Sequence, residues 1–296
     1  MQLLLLIGLI FLSVLLTKKK LITSNTIRWA TRWVLSVALP AVALMAIPSL
    51  EINKQLVTPI LAPLLVFFVS AAVFFIGFKA IFSSEERLVL ALLGGLGNTS
   101  FLGFPFISFF YGMEHLSYAV VYDQIGFLLL VTVAQVFIAK QKDELDVKGI
   151  LKRILLFPPF IALCIALFIP SDFFSEAITS ILKMLSASLS PVAMVIVGYQ
   201  IAMHVDFVFT KSMFYGIGYK LLVAPMLIFV LFYFFNVETQ VFKVTIIEAA
   251  MAPMVTPAII LTNYKIAPKL TAQIMCWGII FSFVTVPLWY WFLEIV

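Results

Sequence analysis

Ten apolar runs follow one another along this chain. Each approaches or reaches the ~20 residues that a membrane-crossing helix needs. They cover residues 2–17, 27–47, 56–82, 88–111, 117–139, 153–169, 177–203, 212–235, 241–262 and 270–292. Inside a bilayer every backbone N–H and C=O must find its partner within the protein, so each run predicts a helix. The expected fold is an all-α polytopic membrane protein with ten transmembrane helices. Composition agrees: only 11% of the 296 residues are charged, against roughly 25% in a soluble domain.

The first run has no basic residue before it and Lys18, Lys19 and Lys20 after it. That is the reverse of a cleaved signal peptide, so a retained first helix is expected. Cys164 and Cys276 both lie inside apolar runs, with neither disulfide nor metal-ligand spacing. Each is expected to be a small buried hydrophobe.

Charge orients the chain. Alternate loops, beginning with the first, hold Lys18, Lys19, Lys20, Arg28 and Arg32; Lys79 and Arg87; Lys140, Lys142, Lys148, Lys152 and Arg153; Lys211; and Lys265 and Lys269, fifteen of the 19 basic residues. The other loops hold Lys54 alone. The positive-inside rule puts the basic set in the cytoplasm and both termini outside. This pattern accounts for the net charge of +5 without a nucleic-acid partner.

The most hydrophilic stretch runs from Lys140 to Arg153 and divides the runs five and five. An odd number in each half places the halves in opposite orientations, as an inverted repeat requires. The expected organisation is a first repeat over 1–139, a cytoplasmic linker over 140–152 and a second repeat over 153–296. Prolines fit it. Pro40, Pro63 and Pro105 fall in spans two, three and four, and Pro191, Pro225 and Pro257 in seven, eight and nine; Pro40 to Pro105 is 65 residues and Pro191 to Pro257 is 66.

Spans four and nine carry the strongest helix-breaking signals. Residues 94–105 hold four of the chain's 13 glycines and Pro105; residues 247–257 hold Pro253 and Pro257. Pro removes a donor and clashes with the preceding turn. Broken backbone at membrane depth is tolerated where it is packed in protein or lines a cavity. Two such helices crossing at mid-depth expose half-helix ends, the N-termini suited to an anion and the carbonyls to a cation. Asn98 is eleven residues beyond Arg87, or ~16 Å along a helix.

Ionisable residues in spans are costly and are functional candidates. Asp123 lies six residues into span five and Glu248 seven into span nine, each ~10 Å from the same face. Together with Asn98, Thr99 and Ser100 they can form an oxygen-rich site for a hard cation such as Na⁺, or one carboxylate can carry a proton. Gln124 is expected to point elsewhere on the helix. Lys220, in span eight, can pair with a carboxylate or attract an anion, or snorkel. Lys183 and Lys243 are expected to snorkel. No H-E-x-x-H, G-x-S-x-G or P-loop pattern is present, so no enzyme is expected.

These residues resemble a known family. Gly97-Asn98-Thr99-Ser100-Phe101-Leu102-Gly103-Phe104-Pro105 is similar to the fourth-helix motif of the auxin efflux carriers, roughly G-N-T-G-F-L-G-x-P. Tyr122-Asp123-Gln124, Pro191-Val192-Ala193 with Gly198, and Ala249-Ala250-Met251-Ala252-Pro253 resemble its more loosely defined stretches. The resemblance implies broken crossing helices four and nine, as in the bile acid:sodium symporter and NhaA-like folds. It also implies a scaffold of spans one, two, six and seven, a transport domain of spans three to five and eight to ten, and often a homodimer through the scaffold. Members carry organic anions, and the absence of a long cytoplasmic loop looks like a bacterial permease of the inner membrane. Glu248-Ala249-Ala250-Met251 departs from many members and is similar to the Glu-x-Gly-Met of bile acid:sodium symporters, whose Glu binds Na⁺.

The expected function is therefore elevator-type transport of a small organic anion, with sodium as coupling ion and no other cofactor. Substrate is expected at Gly97, Asn98, Thr99, Ser100, Pro105, Ala252, Pro253 and Met254. The cation is expected at Glu248, Asp123, Asn98, Thr99 and Met251, with Lys220 as charge partner. The alternatives are a proton-coupled or uncoupled carrier, a channel, and a membrane sensor that binds without transport.

Overall fold

The computed structural model describes residues 2–296 except 51–52, 143–147, 150–151, 153–154, 171, 205–207 and 236. Most of the expected linker, and Arg153 just beyond it, lie outside the described residues. Among the described residues the protein is all helix, without a β-strand. The segments are α1 (Gln2–Lys18), α2 (Ser24–Ala46), α3 (Lys54–Gly77), α4 (Ser84–Gly95), α5 (Thr99–Phe110), α6 (Met113–Lys140), α7 (Pro158–Ala166), α8 (Glu176–Met203), α9 (Lys211–Tyr233), α10 (Thr239–Ala249), α11 (Val255–Asn263) and α12 (Pro268–Ile295).

Six of these, α2, α3, α6, α8, α9 and α12, are long and apolar enough to cross a membrane. The chain is thus a multi-pass membrane protein. The remaining apolar runs form shorter pieces, because α4 and α5, and likewise α10 and α11, are separated by extended residues, and α1 and α7 are short. Phe168 is 89% exposed and Phe234 84% exposed. Lipid covers such rings at no cost, since the hydrocarbon is as apolar as they are. The same reasoning corrects one expectation: Cys276 is buried, but Cys164 on α7 is exposed. An apolar run does not imply burial when the solvent is lipid.

The prolines shape the helices in a specific way. Pro40, Pro105 and Pro225 each stand two residues after a helical turn that is widened to i→i+5 hydrogen bonds. The wide turns are Val34–Ala38, Thr99–Gly103 and Tyr219–Val223, closed by the N–H groups of Leu39, Phe104 and Ala224. An α-helical Pro has no N–H to give and would strike the carbonyl four residues back; a π turn relieves both.

Two sets of helices pack within themselves. In one, α1 lies on α8, and α2 packs on α7 and α8. In the other, α3, α4, α5, α6, α9, α10, α11 and α12 pack on one another. The sets meet where α8 touches α12 and the wide turn of α5, and where α2 touches α6. The first helix is an integral part of the bundle: Ser13 Oγ donates to the Val195 carbonyl at 2.6 Å. A Cβ on Gly198 would lie 2.5 Å from the Ile10 carbonyl oxygen and 2.6 Å from Ser13 Cβ. Backbone cannot yield as a side chain does. Gly198→Ala is therefore expected to destabilise the protein by about 1–3 kcal/mol, read as a lower Tm of the purified protein in detergent.

Basic residues at helix ends find individual solutions. Lys183 is exposed. Lys243 does more than snorkel: it forms an ion pair with Glu294 at 2.8 Å, joining α10 to the end of α12. At the start of α4, Ser83 and Glu86 form a capping box, and Ser212 on α9 donates to Glu86 at 2.7 Å.

Candidate functional site

The interruptions after α4 and α10 pair with each other. Leu96 is extended after α4 stops at Gly95, and Met254 is extended before α11 begins. Between them Gly97 and Pro253 form an isolated antiparallel bridge. The Asn98 N–H donates to the Ala252 carbonyl at 2.7 Å, and the Met254 N–H donates to the Leu96 carbonyl at 2.9 Å. Neither Gly97 nor Pro253 needs to donate in this arrangement, so a proline fits a pairing it would otherwise prevent. The exchange also satisfies backbone groups that the interruptions free in an apolar setting.

Asp123, on α6, anchors the start of α5. The hydroxyls of Thr99 and Ser100 both donate to its Oδ1. Gln124 Nε2 donates to its Oδ2 at 3.1 Å. Gln124 therefore belongs to this cluster, contrary to the expectation that it points elsewhere. Neighbouring residues diverge at the Cα, but a long amide side chain can reach back. All four side chains are buried. Asp123 thus spends its acceptor capacity holding the wide turn Thr99–Gly103 in place.

Glu248 is the opposite case. It ends α10 with 0% exposure, and neither carboxylate oxygen has a hydrogen-bond partner. A Cβ placed on Gly103 would overlap this carboxylate, so Glu248 lies against the bare backbone of the wide turn. Asn98 Nδ2 is likewise buried without an acceptor. An unshared carboxylate against the backbone of the wide turn is the donor type that a hard cation takes.

Lys220 enters from α9, also with 0% exposure. Its Nζ donates to the Ala249 carbonyl at 2.9 Å. Among the described residues no salt bridge joins Lys220 to a carboxylate; its ammonium bonds a carbonyl at the end of α10. A Cβ on Gly97 would stand 3.1 Å from Lys220 Nζ and 3.5 Å from the Glu248 carbonyl oxygen.

The structure thus gathers Gly97, Asn98, Thr99, Ser100, Asp123, Ala252, Pro253, Met254, Glu248 and Lys220 around one backbone bridge. Met251 is fully buried there, its N–H on the Glu248 carbonyl at 3.3 Å. Pro105 sits apart, buried in the first turn of the helix after the wide turn. Two further participants escaped sequence reasoning. Gly103 was visible only as part of a motif, and Gly278 on α12 packs on the Pro253 ring, where a Cβ would lie 2.8 Å from Cγ.

The family model described as "Membrane transport protein" matches residues 1–290 of the chain. A protein of Methanocaldococcus jannaschii, described as an uncharacterized transporter, is 26% identical over 277 residues, covering 88% of this chain and 87% of its own length.

Proposed function

We propose a cargo, a coupling ion and a mechanism for this chain, which belongs to the auxin efflux carrier family of membrane transport proteins and is a transporter rather than an enzyme. It carries a small organic anion, coupled to Na⁺, by elevator-type alternating access. In this reading α4 with α5 and α10 with α11 are the broken fourth and ninth helices of a ten-span inverted repeat. The set containing α1, α2, α7 and α8 is a scaffold in the cell membrane, through which two copies associate, and the larger set moves against it.

One observation carries the proposal: Glu248 is a wholly buried carboxylate without a hydrogen-bond donor. Burying a charge unpaired is expensive, and a bound cation removes that cost. Asn98 Nδ2 supplies an unshared donor, suited to the carboxylate of a cargo. Coupling follows if the cation fixes the geometry of the paired interruptions and offsets the cargo's charge, which gives the bound states different affinities.

The test compares the Tm of the purified protein in NaCl and choline chloride at one ionic strength and pH. Sodium-dependent uptake of radiolabelled mono- and dicarboxylates is measured in parallel. NaCl is expected to raise Tm by about 3 °C or more. Glu248→Gln is expected to lose that rise and to cut sodium-dependent uptake by about 10-fold or more, with abundance preserved. Normal sodium-dependent uptake by folded Glu248→Gln would sink the role of Glu248. Uptake driven by pH and indifferent to Na⁺, yet lost in the same variant, would assign coupling to protons.

A further inference from the structure

We infer that Lys220 is a resident cation of the paired interruptions: its tethered ammonium holds the carbonyl end of α10 where a bound ion would otherwise be needed. The side chain thereby supplies from within the protein a positive charge that the Ala249 carbonyl would otherwise take from solution. The inference builds on the reading of this place as the transport site and adds to it a fixed positive charge.

Three observations carry it. The last carbonyls of a helix lack intrahelical partners and form the negative end of its dipole. In a water-filled setting water satisfies them; at the buried end of α10 they are satisfied from within, those of Ile246, Ile247 and Glu248 by the N–H groups of Ala250 and Met251 and that of Ala252 by the Asn98 N–H. Lys220 Nζ donates to that of Ala249.

The side chain is also held there by construction. The wide turn Tyr219–Val223 lets two successive residues, Tyr219 and Lys220, reach buried backbone carbonyls. Tyr219 Oη donates to the Val66 carbonyl on α3 at 2.9 Å, while Lys220 reaches α10. The turn leaves the Leu221 carbonyl facing α12, where Trp289 Nε1 donates to it at 2.9 Å. A lysine placed only to snorkel needs none of these arrangements.

Finally, the ammonium stands next to Gly97, where a Cβ would come within 3.1 Å of Nζ. Glycine at this position leaves room for a charge beside the bridge itself. Glu248, whose carboxylate lies against Gly103, is free of a bond to Lys220. The two charges therefore occupy different places in the site, and the carboxylate remains available to an ion from solution.

The decisive experiment is thermal unfolding of purified Lys220→Ala in methylammonium chloride, NaCl or choline chloride at matched ionic strength and pH. Methylammonium has the same headgroup as the missing side chain and fits the space it vacates. It is expected to raise the Tm of the variant by about 3 °C or more over choline, and that of the wild type by less than about 1 °C. A variant that unfolds cooperatively with the same Tm in all three salts overturns the inference, because lost packing alone does not respond to an ammonium ion.

Should Lys220→Ala fail to fold, the Glu248→Gln/Lys220→Met pair decides. Met keeps an apolar stem without charge, and Glu248→Gln removes the sodium response proposed for the carboxylate. A Tm rise in NaCl over choline in the double variant, absent from Glu248→Gln alone, is the expected result; no rise overturns the inference. A sodium response that persists in Glu248→Gln alone counts against the carboxylate as the sodium ligand, and Lys220 is then judged by the excess response of the double variant over that single variant.

Discussion

Gly103→Ala is expected to abolish transport while leaving the helix bundle folded, with uptake reduced by about 100-fold or more. The added methyl group would occupy space held by the Glu248 carboxylate. A carboxylate is the far end of a flexible side chain, so it can move aside at modest cost to stability. It cannot move without leaving the backbone of the wide turn Thr99–Gly103, where a cation shared between Glu248 and that turn would sit. Displacement of about 1 Å is enough to ruin such geometry. Gly95→Ala supplies the contrast. There the new Cβ would stand 3.0 Å from Phe67 Cα on α3, so backbone must shift and stability falls first. The comparison is sodium-dependent uptake beside Tm for both variants. A Gly103→Ala protein with wild-type uptake would remove this wide turn from the site.

Asp123→Ala is expected to be the most destabilising single substitution in the polar cluster. Asp123 accepts from Thr99, Ser100 and Gln124, and all are buried. Its removal leaves the Ser100 hydroxyl and the Gln124 amide without that acceptor and the Thr99 hydroxyl with only the Gly97 carbonyl at 3.5 Å, a loss of about 3 kcal/mol or more, or a Tm lowered by roughly 6 °C or more. Asp123→Asn keeps one carbonyl oxygen for the two hydroxyls but turns an amide toward Gln124. A smaller loss, about 1–2 kcal/mol, is expected. Both variants should lose uptake by about 10-fold or more, because α5 begins at the residues Asp123 holds. If Asp123→Ala unfolds at the wild-type temperature, the hydroxyls have another acceptor and the anchoring role is wrong. Asp123 and Glu248 thus differ in their bonding: one carboxylate accepts the hydrogen bonds that hold the turn, and neither oxygen of the other has a hydrogen-bond partner.

Much of the architecture was legible before any coordinates. Apolar runs must become helices in lipid, because water is absent and the backbone has no other way to satisfy itself. The Gly and Pro clusters of residues 94–105 and 247–257 could be placed as interruptions for an equally local reason: Gly and Pro weaken or forbid the α-helical ladder wherever they occur. Asp123 and Glu248 stood out because a carboxylate in an apolar run needs a purpose.

What neighbours what was a different matter. That Gly97 pairs with Pro253 depends on two distant segments meeting in antiparallel register, which neither segment encodes alone. That Lys220 bonds the Ala249 carbonyl and not a carboxylate depends on the rotation of α9, and the wide turn Tyr219–Val223 resets that rotation. Gln124 reaches Asp123 for a related reason, since side-chain length and the surrounding packing override the divergence of adjacent Cα atoms. The sequence by itself determined that the chain is an all-helical, multi-pass membrane protein, because that follows from solvent and local backbone chemistry. Only the tertiary structure decided which buried carboxylate accepts hydrogen bonds and which has none, because that depends on the angle and depth at which each helix presents its side chains to the others.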